Sequence, residues 1–256
     1  MKQFLFTLTA FIVAILLLPL TGFKHKSTIN ACAKSSDDKG FVVMELFTSQ
    51  SCSSCPKAEE LLGNYVGKND SRIIPIAFHV DYWNALGWRD SFSMSQYSSR
   101  QEKYNTAYLH TGSVYTPQLI INGEKEFVGS NEAGIKKAVD DALNKIPSVT
   151  INLKSNTIAK GKITVKYSIN GSFGNSSINF VLLQHKTITK IKGGENNGAT
   201  LINYNVARHL LSTAAKDSGM CMLQLPLGIA VNDLSLVLFT QNKSSGKITG
   251  AVQKEL

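Results

Sequence analysis

Cys52 and Cys55 are separated by two residues, and this pair is the feature of the chain with the most specific chemistry. An apolar, β-rich run at 41–47 precedes it, and helix-forming residues follow. Pro56 fits the first turn of that helix, because its missing N–H would have no intrahelical partner there. Since the N-terminus of a helix favours a thiolate, we predict that Cys52 attacks and that Cys55, within bridging distance, resolves.

Two other interpretations of the Cys-x-x-C pair are an inert structural disulfide and half of a zinc site. Zinc needs four ligands, and the chain has no second cysteine pair and no closely spaced histidine pair. We therefore expect no resident metal and no cofactor. The structural disulfide remains open as an alternative to a redox-active Cys52–Cys55 bond.

The composition of the 256 residues, 43% of them hydrophobic, is that of a globular chain. The formal charge of +9 comes from 27 basic and 18 acidic residues. Several lysines lie before the first strand, and the others are scattered rather than clustered with aromatic residues. The charge pattern therefore argues against nucleic acid as a partner.

The N-terminal segment contains an apolar run at residues 4–20 that follows Lys2. It is typical of a secretory signal peptide or of an uncleaved signal anchor, and its length fits both. We therefore expect residues 1–39 to be a signal or membrane anchor plus linker. The protein is then exported, either periplasmic or anchored facing the periplasm, where disulfides persist.

A second apolar run, which begins near Ile73, completes a β-α-β unit with parallel strands. Its end carries His79 and Asp81 at the same sheet edge as Cys52. His79 could stabilise the Cys52 thiolate or move a proton, or form a structural pair with Asp81. Three aromatic residues after this strand are predicted to wall a groove beside the disulfide, although core packing would also explain them: Tyr82, Trp83 and Trp88.

The element order over the first part of the chain is β-α-β-α-β-β-α, with Thr116–Pro117 before the third strand and an Asn122-Gly123 hairpin turn after it. In this order, residues 40–146 resemble the thioredoxin superfamily, in which that proline is cis and packs against the active-site disulfide. The chain is also similar to the DUF1223 family of exported, thioredoxin-like bacterial proteins. The stretches that carry this second resemblance are residues 45–56, 77–83, 86–88, 114–118 and 127–130.

The resemblance implies roles for further residues. Glu45 lies near the position of a buried acid that exchanges a proton with the resolving thiol, and an exposed strand position is the alternative. A cis Pro117 would offer the backbone of its neighbours to an extended peptide substrate, which would add as a short strand beside Thr116, with Tyr115 as a neighbouring substrate contact. The dipeptide Ser53-Ser54 differs from that of ordinary thioredoxins and leaves the direction of exchange open.

Beyond Pro147, short β-rich runs are separated by Gly, Asn, Ser and Asp clusters, which predicts an all-β sandwich. Residues 203–215 are interpreted as a segment that interrupts it, and residues 193–198 as a flexible loop. Five polar residues could form a patch that faces the cysteines, although solvated loop positions are the commoner explanation for such residues: Glu195, Asn196, Asn205, Arg208 and His209.

The sequence thus predicts an α/β thioredoxin-like domain at 40–147 followed by an all-β sandwich-like domain at 148–256. The expected function is exported thiol–disulfide exchange with protein thiols and disulfides, served by an unidentified redox partner. The alternative is a non-enzymatic binding or assembly module with a structural disulfide. A third hypothesis is that the cysteine pair and His79 handle a soft metal.

Overall fold

The computed structural model describes residues 39–256. The first half contains four strands and three helices, and the second helix continues into a π-helical segment at Tyr104–Leu109. In chain order these elements are β1 (Val42–Thr48), α1 (Cys55–Gly67), β2 (Ile73–His79), α2 (Ser95–Lys103), β3 (Gln118–Ile121), β4 (Lys125–Val128) and α3 (Glu132–Leu143).

The second half is built from strands that are on average much longer. They are β5 (Val149–Ala159), β6 (Lys162–Gly171), β7 (Ser176–Lys190), β8 (Thr200–Ala214), β9 (Ser218–Gln224), β10 (Leu234–Asn242) and β11 (Ile248–Glu255). Eight strands form one mixed sheet in the order β11-β10-β7-β8-β2-β1-β3-β4, and β5-β6-β9 form a second sheet. Strands from both halves of the chain therefore share the large sheet.

The predicted fold class, an α/β thioredoxin-like domain followed by a β-sandwich, is wrong. The structure is mostly β, and β8 joins the two halves by pairing in parallel with β2, where Ala77 lies opposite Val206. Residues 203–215, interpreted as an interruption, lie almost entirely within β8. Their Asn, Arg and His residues hide the strand pattern, although Val206 and Ala207 are fully buried.

Strand β1 is buried on both faces and sorts its side chains between two cores. Val43 and Phe47 belong to the core that also contains Tyr97 of α2, whereas Met44 and Leu46 pack with α1 and α3. Because side chains alternate along a strand, Glu45 points to the α2 side, away from α1. A third core lies between β5-β6-β9 and the β7-β10 part of the large sheet.

The predicted signal or anchor falls almost entirely on residues 1–38, which lie outside the described residues. Within 39–256, no helix is both long and apolar enough to cross a membrane.

Candidate functional site

Cys52 and Cys55 form a disulfide at the beginning of α1, with their Cα atoms 5.4 Å apart. Cys55 is the first residue of the helix and Pro56 lies in its first turn, as the sequence predicts. The Ser54 hydroxyl lies 3.3 Å from Cys52 Sγ. Each cysteine is only 1% exposed, so the bond is almost completely shielded from solvent.

A buried row of ionisable side chains begins one helical turn after the disulfide. Glu59 follows Cys55 by four residues on α1, and its Oε1 atom lies 3.7 Å from Nε2 of His79. The other imidazole nitrogen, Nδ1, lies 2.6 Å from Oδ2 of Asp90. The acidic partner of His79 is therefore Asp90, whereas Asp81 accepts a hydrogen bond from the Ser98 hydroxyl.

The three groups have perturbed pKa values with distinct causes. Burial alone would lower the pKa of His79, but the charges of Asp90 and Glu59 and the hydrogen bond to Asp90 raise it overall. Burial would raise the pKa of Asp90, but His79 and the backbone N–H groups of Gln50 and Phe92 lower it overall. These directions favour an imidazolium–carboxylate pair at His79 and Asp90.

Glu59 differs from Asp90 because neither of its carboxylate oxygens has a hydrogen-bond partner among the described residues. Burial raises its pKa, and the opposing effects of His79, Thr48 and Asn203 do not cancel this. Burial thus favours the protonated form of Glu59, as expected of a carboxyl group that exchanges a proton with a neighbouring group.

A cavity of about 340 Å³ lies beside this end of α1, between the helix and the beginning of β8. Cys55 and Glu59 both line it, together with Asn203 and Tyr204 of β8. Cys55 and Glu59 thus border one shared space.

The structure does not bring Glu45 to the cysteines. Glu45 is fully buried, and its carboxylate accepts two hydrogen bonds from the Arg100 guanidinium at 2.7 and 2.8 Å. The Tyr104 hydroxyl donates a third at 2.8 Å. Glu45 therefore belongs to an ion pair on the α2 side of the sheet.

The Thr116–Pro117 peptide bond is cis, and Pro117 is buried. A side chain placed on Gly129 would lie within 3.0 Å of both Pro117 Cβ and Ala58 Cβ, so Pro117 packs close to the first turn of α1. The Thr116 hydroxyl is buried and has no hydrogen-bond partner within residues 39–256. The Tyr115 hydroxyl donates to Glu126 at 2.7 Å.

The loop between β1 and α1, residues 49–54, is here called the cysteine loop. Of the three aromatic residues after β2, Trp88 has a direct hydrogen bond to this loop, since its indole N–H donates to Gln50 Oε1 at 3.2 Å. Tyr82 is 40% exposed and donates to Gln101 of α2, and burial of its hydroxyl raises its pKa to about 12. Trp83 packs partly against the core on the α2 side.

Two residues of the loop between β7 and β8 reach the cysteine loop. Ser53 N–H donates to Glu195 Oε2, and the Asn196 amide donates to the carbonyl oxygens of Gln50 and Cys52, each at 2.9 Å. The other residues of the predicted polar patch lie elsewhere: Asn205 donates to Pro75 O, Arg208 stacks over the Phe92 ring, and His209 is half-buried on β8.

Sequence reasoning missed Glu59 and Asp90. Glu59 carries a readable signal, because a residue four positions after Cys55 lies on the same helix face. Asp90 carries none, since its link to His79 depends on the path of the loop after β2. Over residues 39–256, no three His, Cys, Asp or Glu side chains are grouped so that they could hold a metal ion.

The chain has relatives of known structure. Residues 43–241 match the model of a family described as "Protein of unknown function (DUF1223)". A crystal structure of an Agrobacterium tumefaciens protein is 26% identical, with a TM-score of 0.62, and the match covers 83% of this chain and 92% of that one. A domain of the outer membrane lipoprotein Omp28 from Porphyromonas gingivalis is 16% identical over 43% of this chain and 95% of that one, with a TM-score of 0.27. No curated protein matches the chain.

Proposed function

The chain belongs to the DUF1223 family, and from the geometry of its cysteine site we propose that it is an exported thiol–disulfide oxidoreductase acting on protein substrates. Cys52 and Cys55 form the redox pair. Pro117 lies beside the first turn of α1, and its cis bond holds Thr116 so that the main chain of Thr116 meets the substrate.

The observation that carries this proposal is the position of Glu59 relative to Cys55. A buried carboxyl group without hydrogen bonds destabilises a fold, so an inert disulfide gains nothing from having one a helical turn away. A resolving thiol does gain, because it must lose a proton before it can attack and Glu59 can accept that proton. The cavity that Cys55 and Glu59 share supports the transfer.

The exchange proceeds in two displacements. The Cys52 thiolate attacks one sulfur of a substrate disulfide, the substrate S–S bond breaks, and the second substrate sulfur leaves as a thiolate. Glu59 accepts the proton of Cys55, and the Cys55 thiolate then attacks Cys52 Sγ and releases the first substrate sulfur. Two electrons pass from the cysteine pair to the substrate, and a dithiol of the redox partner then reduces the Cys52–Cys55 bond by the same two displacements and leaves as a disulfide. The reverse sequence oxidises a substrate dithiol.

The rival function is a binding or assembly module with a structural disulfide. The shielding of both cysteines, each 1% exposed, favours it, because an exchanging disulfide must be reached by another sulfur. The two functions predict different redox potentials for the Cys52–Cys55 disulfide.

The deciding experiment is the equilibrium redox potential of the Cys52–Cys55 pair against glutathione, read by alkylation in a chain with Cys32→Ser and Cys221→Ser. We expect a potential above about −270 mV and a Cys52 thiolate near neutral pH. A bond that stays oxidised below about −300 mV, with an ordinary thiol after reduction, would establish the structural role. Cys52→Ser should abolish exchange and serves as the control.

A further inference from the structure

Residues 193–198, here called the cover loop, satisfy main-chain groups of the cysteine loop with side chains. Asn196 donates to Gln50 O and Cys52 O, and Glu195 accepts from Ser53 N–H, all at 2.9 Å. Two carbonyl acceptors and one N–H donor of an irregular loop are thus occupied by residues that are more than 140 positions away in sequence.

The cover loop packs closely against the loop between β2 and α2, residues 80–94, here called the aromatic loop. A Cβ atom on Gly193 would lie 2.2 Å from the carbonyl oxygen of Gly87, so only glycine allows this approach. The Ser51 hydroxyl in turn donates to the carbonyl oxygen of Trp88 at 2.8 Å. The cysteine loop, the aromatic loop and the cover loop are therefore joined by direct contacts, and each cysteine of the disulfide is 1% exposed.

Exposed main-chain carbonyl and N–H groups beside a reactive sulfur are the groups to which an extended peptide adds by strand-like pairing. The hydrogen bonds of Asn196 and Glu195 use these groups. We propose that the two side chains stand in for the main chain of a substrate, and that an extended, cysteine-containing segment of a partner protein displaces the cover loop to reach Cys52. This inference rests on the proposed function for its substrate, whereas the displacement itself can be tested separately.

After the cover loop has been displaced, thiol–disulfide exchange takes place between the peptide and the Cys52–Cys55 bond. The peptide thiolate bonds to Cys52 Sγ, the Cys52–Cys55 bond breaks, and Cys55 leaves with the electron pair as a thiolate that Glu59 or water protonates. A small thiol must also wait until the cover loop leaves, because the attacked residue, Cys52, is 1% exposed.

The test compares Asn196→Ala with Asn197→Ala in the full chain. Asn197 is the exposed neighbour in the same loop, and none of its side-chain atoms bonds to the cysteine loop. Disulfide reduction is followed by mass spectrometry after alkylation, with an eight-residue unstructured cysteine peptide and with N-acetylcysteine as reductants. Loss of two hydrogen bonds should make reduction of Asn196→Ala about tenfold faster with both reductants. Asn197→Ala should match the unsubstituted chain.

Equal rates for the two variants overturn the proposal. Acceleration with N-acetylcysteine but not with the peptide also overturns it, because the side chains would then not occupy the peptide's place. Glu195→Gln, which keeps an acceptor for Ser53 N–H, provides a milder second variant whose rate should lie between the two. A redox potential in the structural range refutes the proposed function but leaves the rate difference between Asn196→Ala and Asn197→Ala intact.

Discussion

Asp90 Oδ2 lies 2.6 Å from His79 Nδ1 and 2.9 Å from the backbone nitrogen of Gln50, so one carboxylate oxygen connects the end of β2 to the loop that carries Cys52. The side chains of His79 and Asp90 are both completely buried. Such a pair holds its geometry only if both partners are present, because either charge alone would be left in a low-dielectric interior. The shape of the cysteine loop therefore depends on a residue well beyond it in sequence.

Asp90→Ala should be one of the more destabilising single substitutions in the chain. It leaves His79 without its main charge partner and removes the acceptors of Gln50 N–H and Phe92 N–H. We expect a loss of about 3 kcal/mol in the free energy of unfolding, measured by urea denaturation. The control is Asp70→Ala, whose ion pair with Arg72 is about one-third exposed and should contribute less than about 1 kcal/mol. Similar losses in the two variants would contradict the prediction.

The stability of the protein should also depend on the titration of His79. Its pKa is raised in the folded state by Asp90 and Glu59, against burial and the charge of Arg208. A raised pKa gives stability that is complete below the unfolded value of 6.5 and is lost as the pH rises through the folded value. We therefore expect the free energy of unfolding to decline above pH 6.5, and this part of the decline to be absent in His79→Gln. Parallel pH profiles for both chains would contradict this.

Glu59 and Glu45 provide a matched pair of buried glutamates on opposite faces of the sheet. Glu59→Gln removes the proposed proton acceptor, and we expect resolution by Cys55 to be about a hundredfold slower. The pKa of Glu59 is raised, so its contribution to stability is present below its unfolded value of 4.5 and is lost as the pH rises through the folded value. Glu59→Gln should lack that loss and be the more stable chain at pH 8.

Glu45→Gln should lower the stability of the protein and leave the thiol step unchanged. It leaves the Arg100 guanidinium, whose side chain is 11% exposed, without a countercharge and should cost about 3 kcal/mol of unfolding free energy. It should not change the rate of the thiol step, since Glu45 faces α2. Stopped-flow measurement of mixed-disulfide resolution, paired with urea denaturation, separates the two residues. A slower thiol step in Glu45→Gln would indicate instead that Glu45 accepts the proton of Cys55.

The local signals of the sequence located many elements correctly. The apolar run before Cys52, the helix that Pro56 opens and the Asn122-Gly123 turn all lie close to where they were predicted, and Asn131 caps α3 through Gly134 N–H. Each of these features depends on residues a few positions apart, for which period and capping rules are sufficient.

The architecture could not be predicted from such local patterns, because it depends on one pairing between strands that are distant in sequence. Strand β8 contains Asn203, Asn205, Arg208 and His209, whose polar groups suggest a loop, yet the strand lies between β7 and β2. Tertiary contacts satisfy these groups: Asn205 bonds to Pro75 O, and Asn203 accepts from the Gln50 amide. These hydrogen-bond partners cannot be identified from the sequence before the position of β8 in the sheet is known.

The continuity of the large sheet across β2 and β8 predicts that residues 39–256 unfold as one cooperative unit. Both tryptophans, Trp83 and Trp88, lie in the first half, whereas most β structure lies in the second, so fluorescence and far-UV circular dichroism report on different halves. We expect coincident urea transitions by the two probes. Asn205→Ala, which removes the side-chain donor to Pro75 O, should shift both curves together by about 1–2 kcal/mol. Separate transitions, or a shift in one probe alone, would show that the halves fold independently.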